Sequence, residues 1–489
     1  MVRGLSGAVG LMLGAFVAGC GSLPAVRAPA RGQGIGYEVA VSRDGATLVV
    51  EARVPPGVPP YFGVATGAVR YVQDLHVAVD DPRRDDDGDD WTRVAATDTF
   101  YWLPDCSDHG CRIRYRFALG AAARGLADVD RARVVADGVV ESPPSTWLLR
   151  PIGLAHAPYR LHVLLNGDVK VASGLFPASG RAPLTYEGDV ADLRLAPYTA
   201  IGRFETVHVV DSSRGIDLDV AVPAAFGDRL PDIESWALRS ASVVADYYGA
   251  FPVPHALVVV AEGEDKDGVS HGRTLGNGGA ASVVWLGPDV TSEALRDDWV
   301  LPHELVHMAL PSVKDDRHRW FEEGVATYVE GVARARAGDL PEEAFWATLL
   351  DGLPKGLPHR GDRGLDHTPT WGRRYWGGAL FCFLADMEIR RQSQGRATLA
   401  DALRGVSRTG GNVSVGWTLE RILATGDAAV GLSVLSNLHD RMGTRPMPVD
   451  LGALWTRLGV RIDEGRVVLD DDAPLSALRR SLTRADERE

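Results

Sequence analysis

The segment Leu301-Pro302-His303-Glu304-Leu305-Val306-His307-Met308-Ala309-Leu310 decides how the rest of the chain is read. Its apolar residues recur at helical spacing around three ionisable ones. Residues four apart stack on one face of a helix, so the imidazoles of His303 and His307 can converge on one metal ion. Glu304, next to the first histidine, can reach a water at that ion and take its proton. Two nitrogens do not make a metal site, and a third ligand has to come from elsewhere in the chain.

Downstream, the polar break Lys314-Asp315-Asp316-Arg317-His318 precedes Trp320-Phe321-Glu322-Glu323-Gly324-Val325-Ala326-Thr327-Tyr328-Val329-Glu330, a second amphipathic helix. Packed antiparallel to the first, it brings a glutamate near its start beside both histidines and leaves a fourth position open. The two segments together resemble the gluzincin zinc metallopeptidases, whose second helix carries the third ligand in an Asn-Glu-Gly-like motif. Alignment on Gly324 selects Glu323 and puts Glu322 where Asn usually stands, with Glu322 as the alternative ligand. The resemblance implies one Zn2+ per chain, a peptide or protein substrate, and Glu304 as the proton carrier. It also implies a thermolysin-like catalytic domain with a mixed α/β lobe and a helical lobe.

Farther on, Arg374-Tyr375-Trp376-Gly377-Gly378-Ala379-Leu380-Phe381 leads into Leu384-Ala385-Asp386-Met387-Glu388-Ile389-Arg390-Arg391. These segments are similar to the Tyr-x-x-Gly-Ala helix and the Leu-Asp-x-x-Ile-Arg segment of the M61 glycyl aminopeptidase family, with Ala385 as an extra residue. By that resemblance Tyr375 faces the metal and donates a hydrogen bond to the oxyanion. Relatives with aminopeptidase activity carry a glutamate on the strand before the metal helix, which holds the free amine of the substrate. Gly278-Gly279-Ala280-Ala281-Ser282 has no acid there. The glycines of that stretch permit close approach, so Gly278, Gly279 and Ala280 are expected to line the cleft and pair with an extended peptide. His271 and Arg273, just upstream, read as exposed loop residues. Beyond Met442 there remain a short helix over Leu451 to Leu458, a hairpin over Gly459 to Leu469 and a polar helical tail, too little for the PDZ domain that often ends M61 proteins.

Upstream, from Phe204, two strands, about Glu205 to Val210 and Ile216 to Val222, precede a helix from Leu230 to Tyr248. A buried strand over His255 to Val260, a Gly-rich stretch and the strand Ala281 to Leu286 follow. Between Tyr37 and about Ala200 the texture is different. Ala46-Thr47-Leu48-Val49-Val50-Glu51-Ala52 and Cys111-Arg112-Ile113-Arg114-Tyr115-Arg116-Phe117 alternate with period two, which predicts a β-sandwich-like domain. Cys106 and Cys111 flank a turn long enough to close as a disulfide in an oxidising compartment. A zinc site of Cys106, His109 and Cys111 lacks a fourth ligand, and Cys382 sits in an apolar helix as a small buried thiol. The acidic stretch Asp85 to Asp90 fails as a calcium loop, because placing Gly88 at the sixth position puts Arg83 at the first; it reads as a solvated loop.

At the N-terminus, Arg3, the small and apolar run Leu5 to Val17, and Val17-Ala18-Gly19-Cys20 resemble a bacterial lipoprotein signal. The resemblance implies lipidation of Cys20, a tether to about Gly36, and an exported protein attached to a membrane through that anchor. Gly21 lacks the acidic inner-membrane retention signal, which points to the outer membrane, facing the periplasm or the cell surface. Lys and Arg total 52 against 65 Asp and Glu, a net charge of −13, which argues against nucleic acid as a partner. The fold expected is therefore α+β and multidomain. It divides into a signal peptide (1–19), tether (20–36), sandwich-like domain (37–203), metallopeptidase α/β lobe (204–345), helical lobe (346–445) and C-terminal extension (446–489). Zinc-dependent peptide hydrolysis is the function expected of it, with a non-catalytic peptide- or partner-binding lipoprotein on the same fold as the alternative.

Overall fold

Residues Leu48–Val54 and Cys111–Phe117 bury every second side chain, as half-buried strands must. The computed structural model, which describes residues 34–80, 90–179 and 183–484, pairs these two antiparallel inside a seven-stranded sheet. Its first strand, Ile35–Val41, starts within the stretch expected to be tether. Cys20, the rest of the lipoprotein-like signal and most of the acidic stretch Asp85 to Asp90 lie outside the described residues. A four-stranded sheet of Arg133–Ala136, Val139–Glu141, Lys170–Ser173 and Thr199–Gly202 covers the larger one, and Ile201 shares a core with Val39, Leu48 and Leu161. Cys106 and Cys111 are joined as a disulfide at the start of the Cys111–Phe117 strand, and Cys382 is a buried free thiol.

The other face of the four-stranded sheet meets a second, five-stranded sheet. Its strands are β1 (Phe204–Asp211), β2 (Ile216–Pro223), β3 (Ala256–Glu262), β4 (Val269–Leu275) and β5 (Ala281–Leu286). They lie in the order β1-β2-β3-β5-β4, with β2, β3 and β5 parallel and the two outer strands antiparallel to their neighbours. Continuous apolar runs in β3 and β5 follow from burial on both faces. Leu257, Val259, Val283 and Trp285 pack with Val139, Ala172 and Ala200 of the four-stranded sheet, while Val258, Val260 and Val284 face the helices. β4 is the one strand that the apolar pattern did not show. It falls in the stretch read as a Gly-rich connection, because Ser270-His271-Gly272-Arg273-Thr274 offers no apolar alternation.

Helix α1 (Leu230–Tyr248) lies under this sheet, with Ile233 and Trp236 fully buried. Then come α2 (Val300–His307), α3 (Arg319–Arg336), a π-helical turn at Arg373–Gly377, α4 (Gly378–Ser393) and α5 (Val434–Met442). Leu301, Leu305 and Val306 of α2 are fully buried, and each stabilises the fold by about 1.5–3 kcal/mol relative to exposure. The chain closes with a helix over Leu451–Leu458, a hairpin of Val460–Asp463 and Arg466–Leu469, and the helix Ser476–Thr483. Among the described residues no helix is long and apolar enough to cross a membrane.

Candidate active site

The start of α2 is fixed by a buried carboxylate. Asp298 accepts the backbone N–H groups of Val300 at 2.8 Å and Leu301 at 3.0 Å, and the Trp236 indole N–H at 2.8 Å. These bonds satisfy donors that the first turn of any helix leaves open, and they tie α2 to α1. The helix then presents His303 and His307 on one face, with ring centroids 4.9 Å apart.

Glu323 of α3 meets both rings. Its Oε2 lies 3.7 Å from His303 Nε2 and 3.5 Å from His307 Nε2, and one donor atom from each of the three residues lies within 4.8 Å of the others. Bonds of about 2.0–2.1 Å to a tetrahedral zinc place ligand atoms roughly 3.3–3.5 Å apart, so this donor set fits the ion in kind and in spacing. Burial works against charge on Glu323, yet hydrogen bonds and charge from His303 and His307 hold its carboxyl well below the usual carboxylate range. Burial likewise disfavours a charged His307, but Glu323 outweighs it and carries that imidazole up to about 9. Glu322 is occupied differently: its Oε1 accepts the backbone N–H of Val313 at 2.7 Å, and burial raises its pKa. Of the two glutamates, the structure brings Glu323 to the histidines.

A close helix crossing sets the other side of the site. A Cβ on Gly324 would collide with the backbone of Gly378, so the two glycines let α3 and α4 touch. Just before that contact, the π-helical turn carries Tyr375, whose ring lies 6.5 Å from that of His303 at 22°. Such turns widen the helix and re-aim its side chains. Burial, then the negative charge of Glu323 and Glu304, push the Tyr375 phenol up to about 12, so it remains a donor at neutral pH.

Glu304 lies on the opposite side, under β4. Thr274 Oγ1 is 2.6 Å from Glu304 Oε2 and 3.0 Å from the Glu304 backbone oxygen. Gly272 passes directly over the same side chain, and a Cβ there would sit 2.5 Å from Glu304 Cγ. β4 is the outer strand of its sheet, so among the described residues one side of its backbone has no strand partner. His271 and Arg273 are exposed as expected, but they lie on this strand and not in a loop. His271 stacks on Trp285 with centroids 4.2 Å apart, and Arg273 pairs with Asp130 of the N-terminal region at 2.6 Å.

The expectation for Gly278, Gly279 and Ala280 needs correction. Gly278 N–H bonds to Ser414 O at 3.0 Å, Ala280 N–H bonds to Gly174 O at 2.8 Å, and Gly279 bridges Leu175. A Cβ on Gly279 would collide with the Gly174 carbonyl oxygen. These residues seat the five-stranded sheet against the N-terminal region through their backbone groups, and the free edge beside Glu304 belongs to β4. Sequence reasoning missed Asp298, Gly272 and Thr274. Asp298 was legible as an acid just ahead of a helix. Nothing local marks the other two.

No protein-family model and no curated protein matches the sequence. Solved structures do. An aminopeptidase N family protein from Idiomarina loihiensis is 15% identical, with a TM-score of 0.63 over 88% of this chain and 79% of that one. The fold is that of two-domain M1 zinc metallopeptidases. One such enzyme from Deinococcus radiodurans is 16% identical, with a TM-score of 0.51 over 85% of this chain and 95% of its own. A mutant of the Deinococcus enzyme bound to the substrate Tyr-Ser-Ala matches with the same identity and TM-score over 85% of this chain and 96% of that one. At these identities the likeness establishes architecture, and the chemistry has to be argued from the residues of this chain.

Proposed function

We propose that the chain is a zinc-dependent peptidase that hydrolyses peptide bonds, with His303, His307 and Glu323 as its metal ligands. The observation that carries this reading is the meeting of these three side chains with Glu304 and Tyr375 on either side. Zinc, when bound, supplies a Lewis acid that polarises a carbonyl and lowers the pKa of water. Glu304 accepts a proton from the attacking water on its carboxylate and delivers it to the leaving amine nitrogen. Thr274 holds that carboxylate in place. The Tyr375 hydroxyl donates to the carbonyl oxygen as negative charge develops on it. An extended peptide pairs with the free edge of β4, which lays its backbone alongside Glu304. β4 has no carboxylate, so this strand offers no acceptor for a free α-amine.

At the level of subfamily, the Tyr375 segment resembles the M61 family whereas the structural neighbours are M1 enzymes, and the proposal is made for the gluzincin class that both belong to. We further propose an exported protein, lipid-anchored through Cys20 to the outer membrane and facing the periplasm or cell surface. Its signal-like N-terminus and the Cys106–Cys111 disulfide both support export. The test is a peptide-library cleavage assay read by mass spectrometry on zinc-loaded protein. Glu304→Gln should keep its zinc and lose about 10²–10⁴ in rate. Undiminished cleavage by that variant would sink the assignment.

A further inference from the structure

A second group of metal-binding side chains lies apart from the zinc ligands proposed above. It consists of His318 at the start of α3, Asp366 in the short turn Leu365–His367, and His439 on α5. One donor atom of each lies within 4.8 Å of the others. His439 Nε2 is 3.0 Å from Asp366 Oδ2, and His318 Nε2 is 3.8 Å from Asp366 Oδ1. These separations bracket the roughly 3.3–3.5 Å that tetrahedral zinc imposes on its ligands, whereas the 3.5 and 3.7 Å found around Glu323 lie at or just above its upper end.

Hydrogen bonding accounts for only part of this arrangement. Asp366 accepts the Trp320 indole N–H at 2.8 Å, and His439 lies within bonding distance of the other carboxylate oxygen. The His318 ring is 5% exposed and aims a nitrogen at the same carboxylate, yet 3.8 Å is beyond hydrogen-bond length. A metal ion between them explains why a buried imidazole is pointed at a carboxylate it does not bond. The surroundings also suit a ligand set. Trp320 orients the carboxylate through its indole N–H and stacks on His439 at 14°, so two of the three donors are held by one neighbouring side chain. The donors come from three separate elements, so an ion here would tie the start of α3 to α5 and to the turn before α4. Glu323 lies on α3, less than two turns after His318.

We propose that His318, Asp366 and His439 form a second zinc site, with a fourth position for water, that braces the helix carrying Glu323. Two imidazoles and one carboxylate favour a first-row transition ion over calcium or magnesium, which take oxygen ligands. This site stands independently of the peptidase reading, since it shares no ligand with the His303, His307 and Glu323 group.

The test is zinc content of the purified full chain after zinc loading and removal of loose metal. Wild type should hold two equivalents. Glu323→Ala should keep one, and that one should disappear when His439→Asn or His318→Gln is added. Asn at 439 retains a side-chain donor for Asp366, which favours folding. Zinc at about a hundredfold its Kd should raise the melting temperature of Glu323→Ala by about 3 °C or more, and leave Glu323→Ala/His439→Asn unmoved. A Glu323→Ala chain that is folded and free of zinc would overturn the second site while leaving the first intact. Two equivalents retained in both His318→Gln and His439→Asn would overturn it as well. One equivalent in wild type that survives Glu323→Ala and is lost with His439→Asn would support the second site and refute the first.

Discussion

Gly272 lies on β4 and Gly279 in the connection from β4 to β5, and at both a side chain would strike something. At Gly272 the obstacle is the Glu304 side chain, 2.5 Å from a Cβ at that position. At Gly279 it is the backbone of Gly174 in the N-terminal region. One glycine keeps an edge strand close over Glu304, the proton carrier of the proposed reaction; the other lets two layers of the molecule seat against each other. On the proposed function, the same residue type serves chemistry in one case and assembly in the other, and the neighbour it meets decides which.

Substitution should separate the two roles. Gly272→Ala should push Glu304 out of position and cost about a hundredfold in peptide cleavage, since misplacement by about 1 Å is worth that much. Its zinc content and melting temperature should stay near wild type, as measured by elemental analysis and calorimetry. Gly279→Ala should do the reverse: overpacking against a backbone carbonyl costs about 1–3 kcal/mol, read as a lower melting temperature, with near-normal turnover in the protein that remains folded. If Gly279→Ala instead abolished cleavage in a fully stable chain, the assignment of the two stretches would be the wrong way round.

Smaller effects sharpen the picture around Glu304 and the metal. Thr274→Val removes the hydroxyl at 2.6 Å from Glu304 Oε2 and should reduce kcat by about tenfold, with little change in KM. Zinc uptake should depend on pH in a stated direction. In the metal-free protein His307 holds its proton up to about pH 9, because Glu323 outweighs burial, and zinc requires the neutral ring. Apparent zinc affinity should therefore rise by roughly tenfold per pH unit as pH climbs from 7 toward 9. Competition titrations at fixed ionic strength would show it, and a flat profile would contradict the coupling of His307 to Glu323.

The legibility of these features in the sequence follows from how far apart their parts are. His303 and His307 share one helix face, so a local period was enough to pair them; a short link brought a glutamate near the start of the next helix, and the choice of Glu323 over Glu322 came from resemblance to the gluzincin motif around Gly324. The alternation of Leu48–Val54 and Cys111–Phe117 announced the N-terminal sheets in the same way. β4 escaped because His271, Gly272 and Arg273 break any apolar alternation, and its place over Glu304 is a long-range contact. The reading of Gly278 to Ala280 as cleft lining rested on the permissiveness of glycine, which signals close approach without saying to what. His318, Asp366 and His439 lie farther apart still, the last two 73 positions apart, and no local pattern joins them.

The most direct test of the central claim compares zinc bound by wild type, Glu323→Ala and Glu322→Ala. Glu323 meets both histidines, whereas Glu322 is held by the backbone of Val313. The account predicts that Glu323→Ala loses one equivalent relative to wild type and that Glu322→Ala loses none. Loss of an equivalent in Glu322→Ala, with wild-type zinc in Glu323→Ala, would contradict it.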